Sequence, residues 1–299
     1  MKVIQLKLLN FGSLNIDYVY SLDHLVLPGE TISSNRRDIF CGGKGLNQSI
    51  AFAKAGAKVY HAGKVGQDGK LLLDVLERHG VDCSYVQTIE GASGHTIIQV
   101  DRKGENSIIL YGGANRMITP EDVTEVLSHF TAGDVVVLQN EISSLKEIIL
   151  QAHDKGMKII FNPAPFEQKL LEYPLEYIDL LIVNEVEGGQ CSGKTEPKEI
   201  LTTLYNRYHT AVLLTLGKEG AMYYDGDGME SHPIYPSNVV DTTAAGDTFT
   251  GYFANALLTG STPKQALELA SKASSITVSR SGAADSIPYY AEIQEQFGE

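Results

Sequence analysis

The sequence predicts a three-layer α/β/α fold: a mostly parallel central sheet covered by helices on both faces, with a small β-sheet lid. Two observations carry this. From Pro120 onward, short apolar runs alternate with helical patterns, the order of a parallel sheet buried on both sides. Before that, the runs near residues 14–40 and 95–111 are extended and more polar, and they break the alternation. They belong in a smaller sheet projecting from the main body. No repeat, low-complexity tract or linker sets them apart, so residues 1–299 read as one domain with the lid as an insertion.

In order, Val3–Gly12 reads as a first strand ending in Gly-Ser. Leu14–Tyr20 alternates and is extended, Pro28-Gly29 marks a turn, and Thr31–Phe40 is extended again. Gly45–Lys54 has small and apolar residues at helical spacing and closes at Gly56. Val59–Ala62 is a short strand, and Asp68–His79 is an amphipathic helix closed by Gly80. His95–Val100 and Ser107–Tyr111 form a hairpin around Asp101–Gly104. Helices then follow at Pro120–His129 (capped by Thr119), Ser143–His153, Glu185–Gln190 and Pro197–Tyr208. Strands are expected at Asp134–Leu138, Met157–Phe161, Tyr177–Val183 and Ala211–Thr215. Ala221–Tyr224 and Glu230–Ile234 form an antiparallel pair, and Gly246–Leu258 and Pro263–Val278 are the last two long helices.

A chain of 299 residues is long enough for a substantial core. With 24 Lys and Arg against 37 Asp and Glu, the net charge is −13, which argues against nucleic acid or an anionic membrane as partner. A small anion stays possible, because a helix N-terminus or a metal ion supplies positive potential locally. Cys41, Cys83 and Cys191 are far apart and make neither a disulfide framework nor a zinc motif; a reducing cytoplasm is expected. The N-terminus reads as a strand and not a signal peptide, and no run approaches a membrane span.

In an open α/β sheet, ligands bind beyond the carboxyl ends of the strands. Six segments there carry chemistry. Asn15 and Asp17, two apart in an extended segment, share a face and could grip vicinal hydroxyls, or could simply be a solvated edge. Cys41–Gln48, with Gly42, Gly43 and Gly45, permits close backbone approach at a helix start; it matches neither a Walker A loop nor GxGxxG, and a plain glycine turn is the alternative. Glu141, and the Asn184–Glu187 pair at NxxE spacing, could position a divalent cation or be ordinary first-turn acids. Thr215–Gly220 could wrap a nucleotide or be a hairpin connection. Asp241–Gly251 is a tight turn feeding a helix. Its small residues Ala244, Ala245 and Gly246 leave N–H groups uncovered as an anion seat, with Asp247 in the first turn beside them. A lone first-turn acid usually does no more than stabilise its helix by about 0.3–1 kcal/mol. The histidines show no ligand spacing.

Taken together, Gly42–Gln48 and Asp241–Gly251, with further matches such as Gly112–Asn115, Asn162–Pro165 and Arg280–Pro288, resemble the ribokinase-like (PfkB-type) family of carbohydrate kinases across nearly the whole chain. The wording of the two glycine-rich motifs is nearest the ribokinase branch. The resemblance implies a kinase moving the γ-phosphoryl group of ATP to a sugar, with D-ribose the first expectation. Asp247 would be the base, and the N–H groups of Ala244, Ala245 and Gly246 the anion hole. Asn15, Asp17, Gly42, Gly43, Lys44, Asn47 and Glu141 would bind the sugar. Asn184, Thr215, Gly217, Gly220, Gly246 and Ser271 would bind nucleotide, with Glu187 near Mg²⁺ through water. Asp241, Thr243, Thr277, Arg280, Gly282 and Ser286 would surround a monovalent cation, K⁺ expected, largely through backbone oxygens. The lid implies a homodimer. Tyr111 and Ser271 depart from the family's usual residues. Fructose, a nucleoside or a keto-deoxy sugar acid are alternative acceptors, the last because Arg36, Arg37, Arg102 and Arg116 lie in or near the lid. A non-catalytic sugar sensor would be expected to lack Asp247 or Gly246, and both are present.

Overall fold

The computed structural model of the protein describes residues 6–298. The strands are β1 Leu8–Phe11, β2 Asn15–Ser21, β3 Arg36–Gly42, β4 Val59–Val65, β5 Asp82–Thr88, β6 Gly94–Val100, β7 Asn106–Tyr111, β8 Val135–Gln139, β9 Lys158–Asn162, β10 Leu180–Asn184, β11 Ala211–Thr215, β12 Ala221–Tyr224 and β13 Met229–His232. The helices are α1 Lys44–Lys54, α2 Lys70–Arg78, α3 Pro120–Leu127, α4 Leu145–Asp154, α5 Glu185–Ser192, α6 Pro197–Tyr208, α7 Ala245–Leu258, α8 Pro263–Thr277 and α9 Tyr290–Phe297.

The large sheet runs β13-β12-β11-β10-β9-β8-β1-β4-β5, all strands running one way except β12, which is antiparallel to its neighbours β11 and β13. Its strands alternate sides. Val135 and Val137 of β8 face the core under α1, α2, α7 and α8, whereas Val136 and Leu138 face the core under α3, α4 and α6. Burial on both faces is why these strands are continuous apolar runs. From β1 the chain builds outward through β4 and β5 on one side and through β8 to β13 on the other. The strand order therefore reverses between β1 and β8, and a crevice lined by Asn162, Asn184 and Thr215 opens at the carboxyl ends of β9, β10 and β11. Caps fix several helix starts. Asp122 N donates to Thr119 Oγ1 at 3.3 Å while Thr119 N donates to Asp122 Oδ2 at 2.7 Å, and Thr262 caps α8 through Gln265 in the same way.

The second sheet, β3-β2-β6-β7, holds the strands expected in the lid. Pairing puts Asn15, Asp17, Phe40, Thr96 and Leu110 on one face and Tyr18, Ile39, His95 and Tyr111 on the other. All six residues of β7 are exposed.

Three expectations need correction. The segment 82–88 is a strand, β5, that the sequence pattern does not announce; it is a half-buried edge strand without a clean alternation. Helix α9 is likewise unannounced in the sequence, because Ile293 is its only buried residue. The strand expected from Tyr177 starts at Leu180, since Leu175–Tyr177 is a 3₁₀ turn. Residues 3–5 of the expected first strand lie outside the described residues. Among the described residues, no helix is long and apolar enough to cross a membrane.

Candidate active site

Two glycine-rich helix starts face the crevice, and the structure treats them differently. At α1 the N-cap is Gly43 with φ +94°, a conformation suited to glycine, and its side chain offers no cap. The vacancy is filled from the turn after β8: Glu141 Oε2 accepts the Lys44 N–H at 2.9 Å and also the Ser13 hydroxyl. A carboxylate of the protein thus occupies the positive end of α1. At α7 the N-cap is Ala244, held at φ +59°, again without a side-chain cap. An alanine in this left-handed region costs about 1 kcal/mol. Of the three amides expected to hold an anion, Ala245 N–H already leans on Thr242 O at 3.3 Å. Gly246 is exposed, lacks a positive φ, and a Cβ built there meets nothing within 4 Å. Neither backbone conformation nor packing requires a glycine at that position.

A polar cavity of about 220 Å³ lies over this start. It brings together Lys44, Asn184, Glu187, Thr215, Ala244, Gly246 and Asp247, residues spread over 204 positions of sequence. A mostly apolar cavity of about 300 Å³ adjoins it, sharing Thr215, Thr242 and Gly246. It is lined by Gly217, Gly220 and Ser271 as expected, and by Tyr235, Val239 and Phe249, which the sequence did not suggest. Ser271 is buried, with an Oγ that has no hydrogen-bond partner among the described residues. A polar chamber opening into an apolar one suits a polyphosphate joined to a flat base.

Asp247 is buried, and its carboxylate accepts from Asn47 Nδ2 on Oδ2 and Gln48 Nε2 on Oδ1, each at 3.0 Å. Asn47 was expected at the sugar; Gln48 was not expected in the site at all. Lys44 lies among Asp247, Glu141 and Glu187. Burial favours its neutral form, but the three carboxylates outweigh that and raise its pKa above the ordinary lysine value. Glu187 shifts upward because of burial, opposed by the Asn184 N–H and the Lys44 charge. Asn184 and Glu187 cap α5 reciprocally, with Glu187 N donating to Asn184 Oδ1 at 2.8 Å and Asn184 N to Glu187 Oε2 at 3.1 Å. The NxxE spacing therefore serves the helix as well as the cavity.

On the lid side, Asn15 Oδ1 accepts from Asn115 Nδ2 at 2.8 Å, and Asn115 Oδ1 accepts the Leu14 N–H at 3.0 Å. Asp17 accepts from the Thr96 hydroxyl; burial raises its pKa, partly offset by that bond and reinforced by Glu141. Two glycines make room for this pair. A Cβ at Gly42 would lie 2.0 Å from Asp17 Oδ2, and one at Gly94 would lie 2.3 Å from Asn15 Oδ1. Tyr111 packs on His95, ring centroids 4.9 Å apart, on the opposite face of the sheet.

Behind α7, Asp241 joins two loops: Oδ1 accepts Thr243 N–H at 2.8 Å and Oδ2 accepts Gly282 N–H at 3.0 Å. Burial opposes ionisation there, but these bonds win and hold the carboxyl below the ordinary value. Thr277 and Ser286 direct their hydroxyls to Ala273 O and Ala283 O, and Arg280 pairs with Glu292 at 2.7 Å. Among the described residues, no cluster of three or more His, Cys, Asp or Glu could hold a metal ion.

A family model described as pfkB family carbohydrate kinase matches residues 5–289. The chain is similar to the ribokinase of Staphylococcus aureus (strain COL), 35% identical over 303 residues, covering 97% of this chain and 99% of that protein. It is 36% identical over 295 residues to a bifunctional ribokinase/ribose-5-phosphate isomerase A of Fructilactobacillus sanfranciscensis, covering 94% of this chain. The match takes in 54% of that relative, so the chain spans about half its length. Among solved structures it is similar to Arabidopsis thaliana ribokinase complexed with ribose and ATP, with a TM-score of 0.86, 31% identity and 98% of each chain covered. The chain belongs to the pfkB family of carbohydrate kinases.

Proposed function

We propose that the protein transfers the γ-phosphoryl group of ATP to D-ribose, giving D-ribose 5-phosphate and ADP. The observation that carries this is the contrast between the two helix starts: Glu141 fills that of α1, while that of α7 opens on a cavity with Asp247 beside it. The names of the relatives support ribose and ATP.

The polar cavity takes the phosphates and the apolar one the base. Asn15, Asp17, Lys44 and Glu141 hold the sugar. The acceptor oxygen bonds to the γ-phosphorus as the bond to the β-phosphate oxygen breaks, and the hydroxyl proton passes to Asp247. Such transfer is mostly positioning and charge stabilisation; the Gly246 amide and the Lys44 ammonium supply it, and the lid excludes water. The buried Glu187 carboxylate at the cavity wall suits a hydrated Mg²⁺, which would offset phosphate charge when bound. The Asp241–Gly282 junction, its hydroxyls already engaged, leaves backbone oxygens for a K⁺ that would tune the field at α7. A second copy of the chain covers the apolar lid residues Phe40, Ile108, Ile109 and Leu110, making a homodimer. The unpaired thiols of Cys41, Cys83 and Cys191 suit the cytoplasm.

A sugar acid is the weaker reading, because the candidate arginines are already engaged. Arg36 pairs with Asp38 at 2.8 Å, Arg102 with Asp23 at 2.7 Å, Arg116 with Ile142 O at 3.2 Å, and Arg37 lies over Tyr18. ADP release over a panel of sugars and nucleosides tests the proposal. Turnover should be greatest with ribose, and tight sugar binding without turnover refutes a kinase. Asp247→Asn should lower kcat by roughly 10²–10⁴ while sugar binding persists. Exchange of K⁺ for a large organic cation should lower activity, and sedimentation should give twice the chain mass.

A further inference from the structure

We infer that Gln48 and Gln139 are positioning residues: a buried amide relay of fixed polarity that presents a donor to Asp247 and holds its carboxylate oriented toward the acceptor hydroxyl. The inference rests on the reading of Asp247 as proton acceptor. The relay starts at a backbone carbonyl. Asn10 Nδ2 donates to Gly45 O at 3.0 Å. A carbonyl only accepts, so the Asn10 amide has one orientation, with Oδ1 turned to Gln139. Gln139 Nε2 then donates to Asn10 Oδ1 at 3.1 Å and to Gln48 Oε1 at 2.7 Å. With its oxygen so occupied, Gln48 presents Nε2 to Asp247 Oδ1 at 3.0 Å. Each orientation follows from the one before, and the last group is a donor.

Asn10, Gln48 and Gln139 have no solvent exposure, so their protein neighbours decide how the amides lie. Packing alone does not account for them. Gln139 Oε1 has no hydrogen-bond partner among the described residues, and an apolar side chain of similar size would avoid leaving a buried acceptor unmet. The relay also needs space at the end of β1. A Cβ on Gly12 would lie 2.4 Å from Gln139 Oε1 and 2.8 Å from Asn10 Oδ1.

The chemistry explains the polarity. Donors on both carboxylate oxygens, Asn47 on one and Gln48 on the other, fix how the carboxylate is turned. If Gln48 were reversed, its oxygen would face a carboxylate oxygen, two acceptors would meet without a proton between them, and the carboxylate would lose that anchor. The charged groups facing Asp247 are Lys44 of α1 and Glu187 of α5. Neither is altered by changes in the relay.

The test measures kcat and KM for ribose from pH 5 to 9 in the full chain, with circular dichroism to verify folding. Gln48→Glu sets a carboxyl against Asp247, and the pair must share a proton at acid pH. The acid limb of kcat should then move up by about one pH unit or more, with kcat at neutral pH down about tenfold and KM for ribose nearly unchanged. Gln139→Leu frees Gln48 to rotate and should move the limb the same way by less; it decides alone should Gln48→Glu not fold. A folded variant with an unmoved acid limb overturns the relay, even if its melting temperature falls. A wild-type chain that turns over no acceptor overturns the kinase reading and the relay with it; an active wild type with unmoved variants overturns the relay only.

Discussion

Gly246→Ala separates what the fold needs from what the ligand needs. The position has no positive φ and a Cβ would meet nothing within 4 Å, so the methyl enters open space over both cavities. In the empty protein the change should be neutral or slightly favourable, by up to about 0.5 kcal/mol, because alanine is the better helix former. For a chain of this size that raises the melting temperature by roughly 1–2 °C at most. On the proposed assignment, the same methyl would stand where the phosphoryl group approaches the α7 amides when ATP binds. A displacement of about 1 Å at that point costs on the order of 10² in rate, or about 2.7 kcal/mol of transition-state stabilisation. The assays are a thermal melt and steady-state ADP release with ribose saturating. A kcat/KM for ATP within about twofold of wild type would refute the assignment of that space to the phosphoryl group. A large drop in melting temperature would instead make the glycine structural.

Three further outcomes follow from the geometry. Gly42→Ala, whose Cβ would lie 2.0 Å from Asp17 Oδ2, should raise KM for ribose by about tenfold or more with kcat little changed; an unchanged KM removes Asp17 from the sugar site. Lys44→Met leaves Asp247, Glu141 and Glu187 without their shared cation, and should lower kcat/KM by about 10²-fold; activity within a fewfold of wild type refutes the charge role. His61 is buried, accepting from Ser49 on Nδ1 at 2.7 Å and donating to Gly12 O at 3.3 Å, and burial lowers its pKa to about 4. Between about pH 6.5 and 4 the unfolded chain binds a proton that the folded chain does not. The stability contribution is therefore complete above about 6.5 and is lost as pH falls, by up to about 3 kcal/mol. Urea melts at pH 7 and 4.5 should show His61→Gln losing that share of the pH dependence; an equal slope in both proteins overturns it.

Most of the frame was legible from one dimension. Apolar runs spaced by helices dictate a parallel sheet, because strands buried on both faces must be apolar throughout, and the polar runs at 14–40 and 95–111 had to go elsewhere. The open start of α7 was readable too, since glycine and alanine beside an acid offer no side-chain cap. Elements with little apolar signal, such as β5 and α9, were not readable.

What the sequence by itself determined is composition at strand ends: which short segments carry glycines, carboxylates and amides, and that Asp247 sits in a first turn. Only the tertiary structure decided how they divide the work. Gly43 and Ala244 both leave a helix start uncapped, yet Glu141, 98 positions from Gly43, fills one and leaves the other open. Asn47 and Gln48 meet Asp247 from about 200 residues away, and Gln48 does so only because Gln139 and Asn10 set its orientation. Local preferences dictate backbone shape within a few residues. The direction of a buried hydrogen bond depends on partners that only the folded sheet brings within about 3 Å of one another.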